Sequence, residues 1–112
     1  MSKGQVTYTG TRDANGVLHV TKQVDDLEPL ALPPRLDLRN HSPSGFEVAY
    51  LGSGPAQLAL AIATDVLGDE HGQDVYQSFK RDVIAQLPRD GFAITAEAVQ
   101  VWADELEKKG QS

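Results

Sequence analysis

The sequence contains no cysteine, and this absence excludes disulfide bonds, thiolate metal sites and cysteine nucleophiles. No apolar stretch reaches the length of a membrane span. The segment after Lys3 also lacks the apolar run of a signal peptide, so we expect a cytoplasmic protein. An excess of basic residues is missing too, because ten Lys and Arg stand against sixteen Asp and Glu, for a net charge of −6. This balance disfavours non-specific nucleic-acid binding, which depends on neutralising phosphates.

The composition favours a single folded domain. Of the 112 residues, 40% are hydrophobic and 23% are charged, close to the average of globular proteins. A chain of this length buries enough surface to form one core without disulfides or metals. We therefore predict one domain over residues 1–112.

The first strands are predicted as a β-hairpin over residues 5–22. Two segments rich in β-branched and aromatic residues, 5–9 and 17–21, flank an Asn15-Gly16 turn signal. Two strands alone are marginal in water, so this hairpin must pack on something. If Leu18 and Val20 face the core, alternation places His19 in solvent.

Residues 23–46 are rich in proline, which removes backbone donors and favours extended shapes. Residues 36–39 alternate apolar and charged side chains, which predicts a short strand or extended segment. Residues 40–45 have the composition of a loop. A further strand is predicted over residues 46–51, with Phe46, Val48 and Tyr50 on one face.

Three helices are predicted in the second half, over residues 55–67, 70–87 and 96–109. The first is apolar around most of its circumference, which is typical of a buried helix. Thr95 is a suitable N-cap for the third helix. Gly72 is expected to weaken the second. Strands followed by helices indicate an α+β fold, in which a small, mostly antiparallel sheet packs against the buried central helix.

Two polar segments form our candidate ligand site. Ser53 and Gly54 lie in a glycine-rich turn that leads into the first helix, where exposed N–H groups and the helix dipole can hold an anion. Arg39, Asn40 and His41 form a run of hydrogen-bond donors in a loop. If the two segments meet, these five residues form a small pocket for an anionic ligand.

A structural role is the alternative for the same residues. Ser53 would then cap the helix, and Asn40 would bond to the backbone of its own loop. Arg39 would pair with a nearby carboxylate such as Asp37 or Glu47.

Catalytic and metal sites are not indicated. The three histidines, His19, His41 and His71, are far apart and lack the spacing of metal ligands. No serine has an orienting acid and an oxyanion site assigned to it by sequence. We expect no cofactor and no enzyme activity. Residues 53–112 carry five of the six net negative charges, and this acidic half is either a solubilising face or a docking face for a basic partner.

Two motifs carry a resemblance to known proteins. They are Leu38-Arg39-Asn40-His41-Ser42-Pro43 and Gly52-Ser53-Gly54-Pro55-Ala56-Gln57-Leu58-Ala59-Leu60-Ala61. With them the chain resembles, over nearly its whole length, a family of small bacterial and phage proteins of unknown function. The resemblance implies a one-domain protein often carried by phages or mobile elements, and it implies no activity or ligand.

The functional hypothesis is a non-catalytic binding or regulatory accessory protein of a bacterium, phage or mobile element, acting through contact with another protein. The alternative is a binder of an anionic small molecule or nucleotide at the Arg39–Ser42 loop and the Gly54 helix start. The sequence leaves the oligomeric state open.

Overall fold

The structure, a computed structural model, describes residues 4–42 and 45–110. Pro43 and Ser44, at the centre of the predicted 40–45 loop, lie outside the described residues. Three of the four strands precede the first helix and the fourth lies before the last helix, and the strands and helices together confirm the α+β fold. The elements are the strands β1 (Val6–Arg12), β2 (Leu18–Val24), β3 (Leu30–Ala31) and β4 (Gly91–Thr95), the helices α1 (Ser53–Leu67), α2 (Asp69–Asp82) and α3 (Ala96–Gly110), and a 3-10 helix over Ile84–Gln86.

The sheet has the strand order β3-β2-β1-β4, and every neighbouring pair is antiparallel. The predicted hairpin is confirmed, although β2 continues two residues beyond the predicted end. Tyr8 lies opposite Ile94, and both are buried with Val20 on the core face. His19 projects from the other face, where it is exposed as predicted and lies 2.9 Å from a carboxylate oxygen of Asp13.

Helix α1 is the centre of the core, as its composition predicts. All of its residues from 54 to 64 are buried. Leu58 and Ile62 belong to one cluster with Tyr8 of the sheet and Phe79 of α2. The helix begins at Ser53, two residues before the predicted start.

Helices α1 and α2 approach each other closely at Gly72. A Cβ atom added there would lie 2.6 Å from both Cα and N of Thr64, so only glycine allows the backbones to approach this closely. Gly68 joins the two helices with a φ of +92°, a conformation that side-chain-bearing residues rarely adopt. Gly72 thus stabilises the packing of the pair, whereas sequence reasoning considered only its cost to the helix.

The prediction that the second helix runs to residue 87 is wrong. Helix α2 ends at Asp82, because Val83 (φ −123°) leaves the helical conformation. The 3-10 helix that follows buries Ile84, whose carbonyl accepts a hydrogen bond from the N–H of Ala49 at 3.2 Å. The burial of Ile84 and its hydrogen bond to Ala49 are therefore formed where the sequence predicted a continuation of the α-helix.

The short strand or extended segment predicted over residues 36–39 and the strand predicted over residues 46–51 do not form. Arg35 adopts a φ of +58°, and its carbonyl accepts the N–H groups of Leu38 and Arg39, which makes residues 35–39 a turn. Ala49 has a φ of +73°, so the expected alternation breaks and Tyr50 is exposed although Val48 is buried. Neither segment lies beside a partner strand in the four-stranded sheet.

Candidate functional site: a groove at the start of helix α1

The buried Gln57 joins the polar loop to helix α1. Its Oε1 accepts the N–H groups of His41 at 2.8 Å and Ser42 at 3.0 Å. Its Nε2 donates to the carbonyls of Pro34 at 2.6 Å and Arg39 at 3.0 Å. Gln57 therefore does for residues 34–42 what a neighbouring strand would do. Sequence reasoning missed it, although a lone amide among apolar residues of a buried helix is a signal that a hydrogen-bond network must be present.

The five predicted site residues lie in one region of the molecule but do not converge on one point. His41 turns towards α2, where its Nε2 lies 2.7 Å from the hydroxyl of Tyr76. Arg39 and Asn40 are exposed. Ser53 and Gly54 instead border a cavity that Arg39, Asn40 and His41 do not line.

That first cavity has a volume of about 340 Å³ and lies between the hairpin tip and the start of α1. Ser53 lines it as the first residue of α1, and Gly52 occupies the N-cap position without a side-chain hydrogen bond. Gly54 is required by close packing, since a Cβ there would lie 2.7 Å from Cβ of Glu47. The lining residues are Gly16, Val17, Leu18, Ser42, Gly45, Phe46, Glu47, Tyr50, Ser53 and Gly54.

A second cavity, of about 400 Å³, adjoins the first. It is lined by Arg12, Glu47, Val48, Ala49, Tyr50 and Arg89, so the two cavities share Glu47 and Tyr50. We refer to the two cavities together as the α1 groove.

The ion pair of Arg12 and Glu47 lies in the lining of the α1 groove. Arg12 donates to both carboxylate oxygens of Glu47, at 2.8 Å from Nη2 and 3.1 Å from Nη1. The same guanidinium donates to the carbonyls of Arg89 at 2.7 Å and Gly16 at 3.0 Å. Hydrogen bonding to Arg12 lowers the pKa of Glu47, so the pair stays ionised at neutral pH. This one side chain holds together the hairpin tip, the turn before β4 and residue 47.

Exposed apolar side chains lie at the α1 groove. Val17 and Tyr50 line its first cavity, Leu51 follows Tyr50 in the chain, and all three expose half or more of their surface. The Tyr50 ring lies against the backbone of Gly52, where an added Cβ would meet the ring at 2.2 Å. The absence of a side chain at Gly52 therefore leaves the space that the Tyr50 ring occupies.

The alternative partners that the sequence suggested for Arg39 are engaged elsewhere. Asp37 pairs with Arg35, which also holds Asp69 at the start of α2. Glu47 pairs with Arg12. Both interactions tie the irregular segment to regular elements, and hydrogen bonding to Arg35 lowers the pKa of both aspartates.

Part of the acidic half also serves the fold. Asp65 accepts a hydrogen bond from the hydroxyl of Tyr8 and pairs with Lys22 at 2.8 Å. Burial and the neighbouring Asp65 raise the pKa of Tyr8, which keeps it a neutral donor. Asp82 accepts a hydrogen bond from the indole of Trp102 at 3.0 Å. These carboxylates fasten α1 to the sheet and α2 to α3.

Polar side chains that line the α1 groove form hydrogen bonds within the protein. Arg12 pairs with Glu47, and the Ser42 hydroxyl donates to the carbonyl of Gly45 at 2.7 Å. Across residues 4–42 and 45–110, no cluster of three His, Asp or Glu side chains is placed to hold a metal ion. None of the helices in this part of the chain is long and apolar enough to cross a membrane.

The fold and the groove define a small α+β domain in which an antiparallel sheet packs on one buried helix and leaves a partly apolar groove at its start. Residues 8–105 match the model of a family described as a family of unknown function (DUF6166), and the chain belongs to that family. No curated protein and no solved structure matches the chain. The expected membership in a family of unknown function is thereby confirmed, and the bacterial or phage origin stays a prediction.

Proposed function

We propose that this protein is a non-catalytic binding or regulatory accessory protein, acting in the cytoplasm of a bacterium, phage or mobile element through contact of its α1 groove with another protein. The observation that carries the proposal is the exposure of Val17 and Tyr50 in the lining of the groove, with the exposed Leu51 next to Tyr50 in the chain. Apolar side chains grouped at a concave surface are typical of protein interaction sites.

The frame of the α1 groove supports the same role. Arg12 and Gln57 hold its walls through buried or partly buried hydrogen bonds, so little side-chain freedom is left to lose when a partner binds. Tyr50 is an amphipathic ring of the kind that dominates binding energy at protein interfaces. A rigid groove with an exposed aromatic side chain favours recognition of a protein segment.

Site-specific photo-crosslinking tests the proposal in the native host cell. A photoreactive amino acid replaces Leu51, and in a second protein it replaces Val101, a matched exposed apolar residue on α3. We expect the Leu51 position to crosslink to one partner that the Val101 position does not reach. With that partner purified, Tyr50→Ala should weaken binding about tenfold or more by calorimetry, and Val101→Ser should leave it unchanged. Equal crosslinking from both positions contradicts the proposal.

An anionic small molecule is the second candidate occupant. Ser53 and Gly54 begin α1 beside the first cavity, and the first turn of the helix contains no acidic residue. A thermal-shift series with phosphate, sulfate and nucleotides tests it, since a ligand bound only by the folded protein raises the melting temperature. A rise that is lost in Ser53→Asp favours this candidate, and no rise with any of these anions removes it. Arg39→Ala reports whether the exposed loop takes part.

A further inference from the structure

Residues 25–30, which form the turn between β2 and β3 and include the first residue of β3, present the two most exposed large apolar side chains of the described chain. We refer to them as the β2–β3 turn. Leu27 is 67% exposed and Leu30, the first residue of β3, is 71% exposed. An isolated exposed leucine needs no explanation, but Leu27 and Leu30 are neighbours on one protruding segment.

The backbone of this turn is nevertheless fixed. The N–H of Leu27 donates to the carbonyl of Val24 at 3.0 Å, and the Gln23 amide donates to the carbonyl of Leu27 at 2.9 Å. The Asp25 carboxylate accepts the N–H groups of Gly4 and Gln5 at 3.0 and 2.9 Å. The ring of Pro29 further restricts the backbone of the turn. The two leucines are thus presented on a preorganised scaffold, which reduces the entropy lost on binding.

Acidic side chains alternate with the leucines. Asp26 and Glu28 are exposed, and neither carboxylate has a hydrogen-bond or ion-pair partner among the residues that the structure describes. Unpaired carboxylates repel nucleic-acid phosphates and anionic lipid surfaces. They also disfavour a second copy of this chain, whose net charge is −6. A basic protein surface is the partner chemistry that remains complementary.

We infer that the β2–β3 turn is a docking element for a different protein, one that offers an apolar pocket for Leu27 and Leu30 bordered by lysine or arginine side chains for Asp26 and Glu28. This surface is separate from the α1 groove. The groove contacts the start of β2 at Leu18, and the turn follows its end at Val24, about 20 Å away along a strand of this length.

Photo-crosslinking from the full-length protein tests this inference independently of the groove. The photoreactive amino acid replaces Leu27, with the Leu51 and Val101 positions as parallel samples. We expect the Leu27 position to label a partner peptide that lies beside Lys or Arg residues. Labelling of nucleic acid, of lipid or of a second copy of this chain overturns the inference, as does labelling no stronger than from Val101. Crosslinks from Leu27 without crosslinks from Leu51 would reject the groove and keep the turn, and the reverse result would do the opposite.

Affinity measurements with the purified partner complete the test. Leu27→Ser combined with Leu30→Ser should weaken binding more than tenfold. Asp26→Asn combined with Glu28→Gln should weaken it about threefold and flatten its dependence on salt, since the lost contribution is electrostatic. Both double variants change exposed side chains, so their unfolding curves should match that of the parent protein. Unchanged affinity in the leucine variant would overturn the inference.

Discussion

Helix α1 and the irregular segment formed by residues 33–42 and 45–52 lie side by side but are held by different forces. The helix is buried through its apolar side chains, and its backbone bonds to itself. The segment lacks both a helical ladder and a partner strand. Its backbone groups instead bond to Gln57 and to the carbonyl of Ile84, and two of its charged side chains, Glu47 and Arg35, pair with Arg12 and Asp69.

This difference shows why the α1 groove forms where it does. A segment held by a few polar contacts can adopt the positive φ angles of Arg35 and Ala49 that a regular element does not allow. The resulting bends leave Tyr50 and Leu51 in solvent beside the start of α1. The segment shapes the surface, and the helix gives it a rigid support.

The largest expected effect comes from breaking the polar support at Gln57. Gln57→Leu keeps the size of the side chain but removes four hydrogen bonds, including the one to the buried N–H of Ser42. We expect the free energy of unfolding to fall by about 4 kcal/mol, because buried polar groups are left without partners. Chemical denaturation measures this, and Gln77→Leu on the exposed face of α2 is the matched control.

Amide exchange locates the effect of the same variant. The N–H groups of His41 and Ser42 should exchange much faster in Gln57→Leu. Those in the middle of α1 should exchange faster only to the extent that the free energy of global unfolding falls. A fall of less than about 1 kcal/mol in the free energy of unfolding would show that the irregular segment keeps its position without Gln57.

The next largest effect should come from the helix pair. In Gly72→Ala the new methyl group meets the backbone of Thr64, and overpacking of this kind costs about 3 kcal/mol. Alanine recovers about 1 kcal/mol through its helix propensity, so we expect a net loss of about 2 kcal/mol by denaturant unfolding. Gly110→Ala, with no atom near the added Cβ, should be neutral or slightly stabilising. A stabilised Gly72→Ala protein would mean that the helices lie further apart.

A smaller loss of stability should follow from removing the hydrogen bond between the sheet and α1. Tyr8→Phe removes the hydrogen bond to Asp65 and leaves Asp65 paired with Lys22. We expect a loss of about 1.5 kcal/mol in the free energy of unfolding, since the acceptor is charged and the donor is buried. Tyr50→Phe, at an exposed ring in the groove, should change stability by less than about 0.5 kcal/mol. Equal effects of the two variants would contradict the role assigned to Tyr8.

The smallest effect concerns the pH dependence of the Arg12–Glu47 pair. Glu47 has a lowered pKa in the folded protein, so its stabilising contribution is complete above the unfolded value of about 4.3 and is lost as the pH falls through the folded value. The Glu47 side chain is partly exposed, and we expect the pair to contribute less than about 1 kcal/mol.

Denaturation of wild type and Glu47→Gln as a function of pH measures this contribution. The difference between the two proteins should be steady from about pH 8 to about pH 5 and should narrow below about pH 4. Glu107→Gln on the exposed face of α3 is the matched control for the loss of one negative charge. A difference that widens in acid would mean that Glu47 is not stabilised as a carboxylate.

Much of the fold follows from local sequence patterns. The Asn15-Gly16 turn, the alternation of Leu18, His19 and Val20, and the continuous apolar surface of residues 58–63 identify the hairpin and the buried helix. These signals are readable because a strand or helix repeats its environment every two or 3.6 residues. Thr95 also caps α3 as predicted, through a hydrogen bond that its hydroxyl accepts from the N–H of Ala98 at 3.1 Å.

No local sequence pattern predicted the α1 groove. The sequence alone determined which stretches are apolar enough to form the sheet and the buried helix, because periodicity is a property of neighbouring residues. Only the tertiary structure decided that Arg12 meets Glu47 and that Gln57 meets His41, because these partners are brought together by folding and not by spacing. Polar contacts between distant residues have no repeat along the chain, and they set the shape of the groove.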